Sequence, residues 1–220
     1  MLEFKNVSKQ YPNGHEALIN VNFTLETGEM SFLTGHSGAG KSTLLKLIMR
    51  AERCTRGQVL LDGQDLSLLP ERKIPYLRRF MGVVYQSPHL LDDRPVFDNV
   101  ALPLIIAGVR YQEIGRRVRA ALDKVGLLSK EKLHPYALST GEQQRVGIAR
   151  AIVNKPPFLL ADEPTGNLDP SLSAEIMELF DELHQVGVTV LIASHDLTLI
   201  ACMQHRILHL KHGYLIKDGL

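Results

Sequence analysis

The chain has 220 residues, 45% of them hydrophobic and 22% charged, and its formal net charge is +1. This length suits one domain with a sizeable hydrophobic core. The near-neutral balance argues against a protein that mainly grips nucleic acid or an anionic membrane surface, so no nucleic-acid partner is expected.

Cysteine usage and hydropathy indicate the compartment. Cys54 and Cys202 have no metal-like or redox-like neighbours, which is typical of reduced thiols in a cytosolic protein. Residues 1–10 lack the apolar core of a signal peptide. The longest apolar run, VALPLIIAGV at 100–109, contains Pro103 and is shorter than the roughly 20 residues that cross a bilayer. We therefore expect a soluble, cytoplasmic chain whose membrane role comes through a partner.

The first thirty-odd residues favour short strands. Apolar and polar residues alternate in LEFKNVSKQY and EALINVNFTLETGE, with Gly and Asn between the runs. The strand SFLTG leads into GHSGAGKS at 35–42, and the helix-forming residues of KSTLLKLIMRAE follow. Strand, glycine-rich loop and helix in this order are the setting of a phosphate-binding loop.

GHSGAGKS fits the pattern G-x-x-x-x-G-K-[ST], with Gly35, Gly40, Lys41 and Ser42 at the fixed positions. Glycines let backbone N–H groups approach phosphate oxygens, and the helix N-terminus adds its positive dipole end. In such a loop Lys41 reaches the β- and γ-phosphates, and the Ser42 hydroxyl binds Mg²⁺. The nucleotide-binding stretch is expected to comprise Gly35, His36, Ser37, Gly38, Ala39, Gly40, Lys41, Ser42 and Thr43.

After the first helix, GQVLLDGQDL returns to strand and turn, and residues 88–133 favour helices. Apolar residues within YQEIGRRVRAALDKVGLL recur at helical spacing. They are Ile114, Val118, Ala121, Leu122 and Val125. We expect this stretch to form a helical block appended to the core.

LSTGEQQR, which begins at Leu138, predicts a capped helix N-terminus. Ser139 and Glu142 are spaced as in a capping box. Apolar residues then recur at helical spacing, namely Val146, Ala149, Ile152 and Val153. Gly141, in the first turn, would leave the N-terminal amides open to close approach by an anion. The residues alone leave two interpretations open, an anion site or only a helix cap.

FLLADE supplies a second candidate for phosphate chemistry. The apolar residues 158–161 predict a buried strand that carries Asp162 to its polar end, where the carboxylate could hold Mg²⁺ directly or through water. In an extended chain Glu163 points to the opposite side from Asp162. This arrangement suits one carboxylate for the metal and one for the attacking water. Two solvated acids at a strand end are the alternative.

The remaining segments alternate between helix and strand. PSLSAEIMELFDELHQVG predicts an amphipathic helix, VTVLIASHD an apolar strand, and RILHLKHGYLIKDG a hairpin around KHG. Apolar strands flanked by helices indicate an α/β fold with a largely parallel sheet covered on both faces. The antiparallel ends and the central helices would be appended to that sheet.

The order of these motifs resembles one family. A phosphate loop, a Gln after an apolar strand, L-S-x-G, Asp-Glu, Asn-Leu-Asp and Ser-His-Asp follow one another as in the ATPase subunits of ABC systems, over essentially the whole chain. The resemblance implies a P-loop NTPase of the ABC ATPase type, whose mostly parallel core sheet carries an antiparallel β subdomain and a helical subdomain. Residues 1–220 would form a single domain, with approximately 88–133 as the helical insertion.

The resemblance also implies a reaction and an assembly. Such subunits hydrolyse ATP to ADP and phosphate with Mg²⁺. Two copies dimerise head to tail, and each ATP lies between the phosphate loop of one copy and the signature motif of the other. LSTGEQQR would therefore serve a second copy of this chain in an ATP-bound homodimer.

Further roles follow by position in the family's motifs. Tyr11 matches the aromatic residue on which adenine stacks, with a core tyrosine as the alternative. Gln86, in VVYQS, matches the glutamine that senses Mg²⁺ and the membrane partner. Ser139 and Gly141 match the signature residues that touch the γ-phosphate bound by the other copy. The metal ligands implied are Ser42, Gln86 and Asp162.

The resemblance also implies which residues act in catalysis and which lie near the dimer interface. Asp162 and Glu163 match the metal ligand and the catalytic base. His195, at the end of VTVLIASH, matches the switch histidine that contacts the γ-phosphate, and Asp169 matches a loop that crosses the dimer interface. The catalytic residues implied are Lys41, Glu163 and His195.

Two residues depart from the family's usual signature, L-S-G-G-Q. Glu142 replaces Gln and completes the capping box. Thr140 replaces Gly and would be strained if its φ had to be positive. Because Ser139 and Gly141 are kept, we expect ATP-driven closure to survive.

Within the family, the chain resembles the cell-division branch, the FtsE-type ATPases, in LLDDRPVFDNVALPLIIAG and GEQQRVGIARAIVNKPPFLLADEPTGNLD. This implies an integral membrane partner of FtsX type, other division proteins as partners, regulation of cell-wall hydrolases, and a peripheral location on the cytoplasmic face of the inner membrane. SPHLLDDRPVFDNVALPL, after Gln86, would receive the membrane partner. An ordinary helical core is the alternative for its apolar residues.

Two other functions compete with this one. ATPases of lipoprotein release and of macrolide-type efflux share ADEPTGNLD and much of the signature helix, so an export ATPase is the alternative. Soluble ABC ATPases that act on DNA or ribosomes usually carry long insertions and a basic surface, and neither is visible in this sequence.

Overall fold

The computed structural model describes residues 1–166 and 168–219, and the α/β chain divides into two compact units. Unit 1 comprises Met1–Arg78 and Gly187–Leu220, and unit 2 comprises Arg79–Val186. Asn167, in the predicted Asn-Leu-Asp motif, lies outside the described residues. Every helix in the described ranges is too short or too polar to traverse a lipid bilayer.

The elements are numbered in chain order. The strands are β1 (Leu2–Gln10), β2 (Glu16–Leu25), β3 (Met30–Thr34), β4 (Arg56–Leu61), β5 (Gln64–Asp65), β6 (Met81–Val84), β7 (Phe158–Asp162), β8 (Thr189–Ala193), β9 (Arg206–Lys211) and β10 (Tyr214–Gly219). The helices are α1 (Lys41–Ile48), α2 (Ile74–Arg79), α3 (Val96–Ile106), α4 (Tyr111–Lys124), α5 (Thr140–Ile152), α6 (Pro170–Gln185) and α7 (Leu197–Met203). Short 3₁₀ turns connect several of them.

Unit 1 contains two kinds of sheet, as the alternating and continuous apolar patterns predict. β1 pairs antiparallel with β2 and β4, and β4 pairs antiparallel with β5. Phe4 and Phe23 are opposite each other in β1 and β2 and stack with ring centroids 4.6 Å apart. The buried strand β3 pairs in parallel with β8 and β9. A parallel arrangement brings the carboxyl ends of these three strands to one edge.

The predicted hairpin around KHG is confirmed. β9 and β10 pair antiparallel, and the turn residues His212 and Gly213 have φ of 48° and 81°. Two successive positive φ values match the right-handed twist of a tight hairpin. Gly213 adopts its positive φ without strain.

Unit 2 pairs β6 and β7 in parallel and packs its helices around a buried apolar core. The apolar residues predicted on the inner faces of α4 and α5 are buried, including Val118, Leu122, Val146 and Ala149. Within the predicted block of approximately 88–133 the first helix begins at Val96, and residues 88–95 contain no helix.

The first helix is also shorter than KSTLLKLIMRAE predicts. α1 ends at Ile48, and Arg50 takes a φ of 54°. The Arg50 guanidinium turns inward and its Nε donates to the carbonyl oxygen of Leu66 at 2.8 Å. Burial lowers the pKa of this guanidinium.

Candidate functional site

The glycines of the phosphate loop are required by close backbone packing. Gly35 and Gly40 have φ of 147° and 112°. A Cβ at Gly35 would lie 2.3 Å from the carbonyl oxygen of Leu210, and a Cβ at Gly40 would lie 2.4 Å from that of Ala17. Another residue at either position would be strained and would clash with backbone atoms. Strands of unit 1 therefore specify the shape of this loop.

Lys41, the first residue of α1, lies inside the loop. Its ammonium donates to the carbonyl oxygen of Gly35 at 2.7 Å and approaches that of His36 at 3.5 Å. The residue is 9% exposed, whereas His36, Ser37 and Gly38 are exposed. A cation inside an exposed glycine-rich loop at a helix N-terminus suits an anionic ligand such as phosphate.

The structure places Tyr11 beside the helix that begins at the loop. The Tyr11 hydroxyl lies 3.3 Å from Oγ1 of Thr43. Tyr11 is half-buried, so it is not a fully buried core tyrosine. Ser42, the residue before Thr43, is exposed. The structure thus places Tyr11 beside Thr43, which belongs to the predicted nucleotide-binding stretch.

His195 lies at the same edge of the unit 1 sheet as the loop. It follows the parallel strand β8 by two residues and is exposed. The Ser194 N–H donates to the carbonyl oxygen of Leu33 at 3.1 Å, which ties this segment to the strand that enters the loop. Asp196 caps α7 by accepting from the N–H groups of Thr198 and Leu199.

In unit 2, the apolar strand β7 ends at Asp162 as predicted, but the geometry expected for Glu163 is wrong. Glu163 has a φ of 50°, so the chain is left-handed there rather than extended. The Gly166 N–H donates to the Glu163 carbonyl oxygen at 3.2 Å and closes a turn. Asp162 and Glu163 are both half-exposed. A left-handed glutamate costs conformational free energy, and such strain clusters at functional sites.

Gln86 is exposed and lies against this turn. A Cβ at Gly166 would be 3.0 Å from Nε2 of Gln86. The structure of unit 2 therefore brings the predicted Gln86 close to the segment that follows Asp162 and Glu163.

Helix α5 holds the backbone around Gln86 through two polar side chains that the sequence analysis did not identify. Gln144 is 3% exposed, and its Nε2 donates to the carbonyl oxygen of Tyr85 at 2.9 Å. The Arg150 guanidinium donates to the carbonyl oxygens of Pro88 and His89. Burial lowers the pKa of Arg150. The sequence could have indicated these two residues only as polar side chains on the apolar face of a helix. The carbonyl oxygens to which they donate lie about sixty positions earlier in the chain.

The sequence pattern also gave no role to Asn99 of α3, whose side chain anchors the loop that precedes α3. Its side chain is fully buried. Oδ1 accepts from the Leu91 N–H at 2.7 Å, and Nδ2 lies 3.1 Å from the carbonyl oxygens of Leu91, Arg94 and Pro95. This side chain supplies hydrogen bonds to residues 91–95, which belong to no helix or strand.

The predicted capping box at the start of α5 is confirmed. Ser139 Oγ accepts from the Glu142 N–H at 3.3 Å, and the Glu142 carboxylate accepts from the Ser139 N–H at 3.0 Å. Lys130 pairs with the other carboxylate oxygen, and these contacts, the Lys130 hydrogen bond first, hold the pKa of Glu142 below its usual value. Thr140 begins the right-handed helix, so the strain that a positive φ would impose does not arise.

Gly141 has a packing role that its sequence did not reveal. The residue is buried, and a Cβ there would lie 2.1 Å from Cδ2 of Leu172 in α6. Its missing side chain makes room for that leucine. Asp169 caps α6 by accepting from the Leu172 N–H at 3.1 Å, so this acid has a local structural task.

The predicted site residues are divided between the two units. Unit 1 carries Tyr11, the loop from Gly35 to Thr43, and His195. Unit 2 carries Gln86, Ser139, Gly141, Asp162 and Glu163.

The chain is similar to a known protein family and, over nearly its whole length, to curated proteins. A family model described as ABC transporter matches residues 18–166. The Cell division ATP-binding protein FtsE of Escherichia coli K12 is 59% identical over 215 residues, which is 98% of this chain and 97% of that protein. The protein of the same name from Bacillus subtilis 168 is 44% identical over 218 residues, 99% of this chain and 96% of its own.

Solved structures show the same fold. The dimeric structure of MJ0796, a bacterial ABC transporter cassette, matches with a TM-score of 0.91 and 36% identity and covers 100% of this chain and 98% of that one. A dimeric post-hydrolysis state of the MJ0796 cassette bound to ADP and Pi matches with the same TM-score and identity.

Proposed function

This chain belongs to the ABC transporter family of ATP-binding cassettes, and on that premise we propose that it is the ATP-hydrolysing subunit of an FtsE-type cell-division complex. The phosphate loop carries the ATPase assignment, because Lys41 lies inside it and its glycines are sterically required. Relatives named FtsE that match at 59% and 44% identity over nearly the whole chain favour division over the lipoprotein-release or macrolide-export alternative.

Unit 1 binds the phosphates and the adenine of ATP. The Lys41 ammonium and the backbone N–H groups of the loop neutralise and orient the β- and γ-phosphates. The adenine stacks on Tyr11, a contact worth on the order of 1–3 kcal/mol by analogy with other base–aromatic stacking. The half-buried position of Tyr11 beside Thr43 supports this assignment.

The donor set suits magnesium. Ser42, Gln86 and Asp162 offer hydroxyl, amide and carboxylate oxygens, the hard ligands that Mg²⁺ prefers, and their side chains are exposed or half-exposed. Bound Mg²⁺ supplies neutralisation of the phosphate charge. Glu163 orients the attacking water and accepts its proton, and His195 donates to the γ-phosphate.

The functional form is an ATP-bound homodimer, in which Ser139 and Gly141 of one copy serve the nucleotide of the other. Ser139 is exposed at the N-terminus of α5. Its Oγ accepts from the Glu142 N–H, which leaves the hydroxyl proton to donate to phosphate. The MJ0796 cassette, similar over the whole chain, was solved as a dimer.

An integral membrane partner of FtsX type, together with other division proteins, receives the conformational output and holds the chain at the cytoplasmic face of the inner membrane. The predicted docking stretch contains both buried and exposed apolar residues. Val96, Val100 and Leu104 are buried and belong to the core of unit 2, whereas Leu91 is 43% exposed and is available to a partner.

The phosphate loop and the catalytic base can be tested on the purified chain. Lys41→Ala should abolish ATP binding in equilibrium dialysis, and unchanged affinity would refute the loop assignment. Glu163→Gln should accumulate an ATP-loaded dimer, measured by light scattering during size exclusion. A variant that stays monomeric at saturating ATP contradicts the role given to Glu163.

The division role needs a test in membranes. The chain should co-purify with a membrane protein that has a large periplasmic domain and recruits cell-wall hydrolases. Its ATPase activity in that complex should be indifferent to exported lipoproteins. Stimulation by such a lipoprotein would support the export alternative instead.

A further inference from the structure

Lys9 is a buried cation to which the proposed reaction gives no task. It lies in β1, two residues before Tyr11, and is 8% exposed. Burying an ammonium costs free energy unless several groups compensate for its lost water. Its partners therefore show which feature of unit 1 the charge stabilises.

Three groups surround the ammonium. Nζ donates to the Glu52 carboxylate at 2.7 Å and to the carbonyl oxygen of Arg53 at 2.9 Å. It also lies over the ring of Tyr11, 4.9 Å from the ring centroid. An ammonium has three N–H donors, and these partners match them in number. Glu52 and Arg53 fix the cation above the face of the tyrosine ring.

Two contacts position the tyrosine, and the His15 ring lies nearly parallel to it with ring centroids 6.5 Å apart. Lys9 covers its ring, and Oγ1 of Thr43 lies 3.3 Å from its hydroxyl. A cation over one face is attracted by the ring quadrupole, so it holds the ring plane in a single orientation. It also draws π-electron density toward itself, which makes the ring a better platform for an electron-rich base.

From this geometry we propose that Lys9 is the positioning residue for base recognition, acting through Tyr11. The inference rests on the proposed function, in which adenine stacks on that ring. Lys9 strengthens binding of purine nucleotides through their base and leaves binding of the phosphates unchanged. Its removal should therefore weaken ATP and spare a ligand that has phosphates but no base.

The experiment titrates ATP and inorganic tripolyphosphate into the full chain by isothermal calorimetry. Lys9→Met should weaken ATP binding about fivefold, because the tyrosine ring loses its fixed orientation, and change tripolyphosphate binding by less than about twofold. Lys9→Arg retains the cation and should restore most of the ATP affinity. Lys9→Gln removes the charge but retains a hydrogen-bond donor for Glu52 and Arg53. It serves as the uncharged variant if Lys9→Met does not fold, and the same loss of ATP affinity is expected from it.

The matched control is Lys5→Met, which removes the same charge from an exposed lysine of the same strand. It should bind both ligands as the wild type does. Equal loss of ATP and tripolyphosphate affinity in the folded Lys9 variants would show a general charge effect and overturn the proposal, as would unchanged ATP affinity. Failure of the wild type to bind ATP would instead overturn the proposed function.

Discussion

Replacing Asn99 by alanine should lower the free energy of unfolding by about 3 kcal/mol. The side chain is 0% exposed, it accepts from the Leu91 N–H, and its amide nitrogen faces three carbonyl oxygens. The amide has two protons, so two of those contacts are full hydrogen bonds at any moment. With the accepted bond, three buried hydrogen bonds are lost, each worth about 1 kcal/mol.

Urea unfolding followed by far-UV circular dichroism measures this change in a chain that contains no tryptophan. The matched control is Asn22→Ala, because Asn22 accepts from the Asn6 N–H at 2.8 Å but is exposed. That variant should lose less than about 1 kcal/mol. An Asn99→Ala protein within about 0.5 kcal/mol of the wild type would refute the hydrogen-bond count. ATP affinity measured without Mg²⁺, which depends on the phosphate loop and Tyr11 of unit 1, should not change.

Three further tests concern α5. The pKa of Glu142 is held low by Lys130, so its contribution to stability is complete above the usual value of 4.5 and is lost as the pH falls through the lower folded value. Urea unfolding of Glu142→Gln should therefore depend less on acid, and equal dependence would contradict the contact. Thr140→Gly should cost under about 1 kcal/mol and leave ATP turnover equal or higher, whereas a large loss would give Thr140 a specific task. Gln144→Met should keep ATP affinity measured without Mg²⁺ but reduce turnover about fivefold through misplacement of Gln86, and unchanged turnover would refute that link.

The sequence predicted the features that depend on neighbouring residues in the chain. The capping box needs only Ser139 and Glu142, three positions apart, and the hairpin turn needs only His212 and Gly213 between two strands. Boundaries were less accurate, because the end of α1 depends on the turn of Arg50 toward Leu66. The extended geometry expected at Glu163 failed for a similar reason, since the turn closed by Gly166 decides it.

By itself, the sequence determined the family, the phosphate loop and the order of strands and helices, because glycine spacing, hydrophobic period and caps are local properties. Only the tertiary structure decided why certain residues are needed. Gly141 must be small because Leu172 packs against it, and Gln144 acts on Tyr85 from 59 positions away. The contact of Lys9 with Glu52 spans 43 positions. Such contacts depend on where the folded backbone brings distant atoms, and no local pattern encodes that distance.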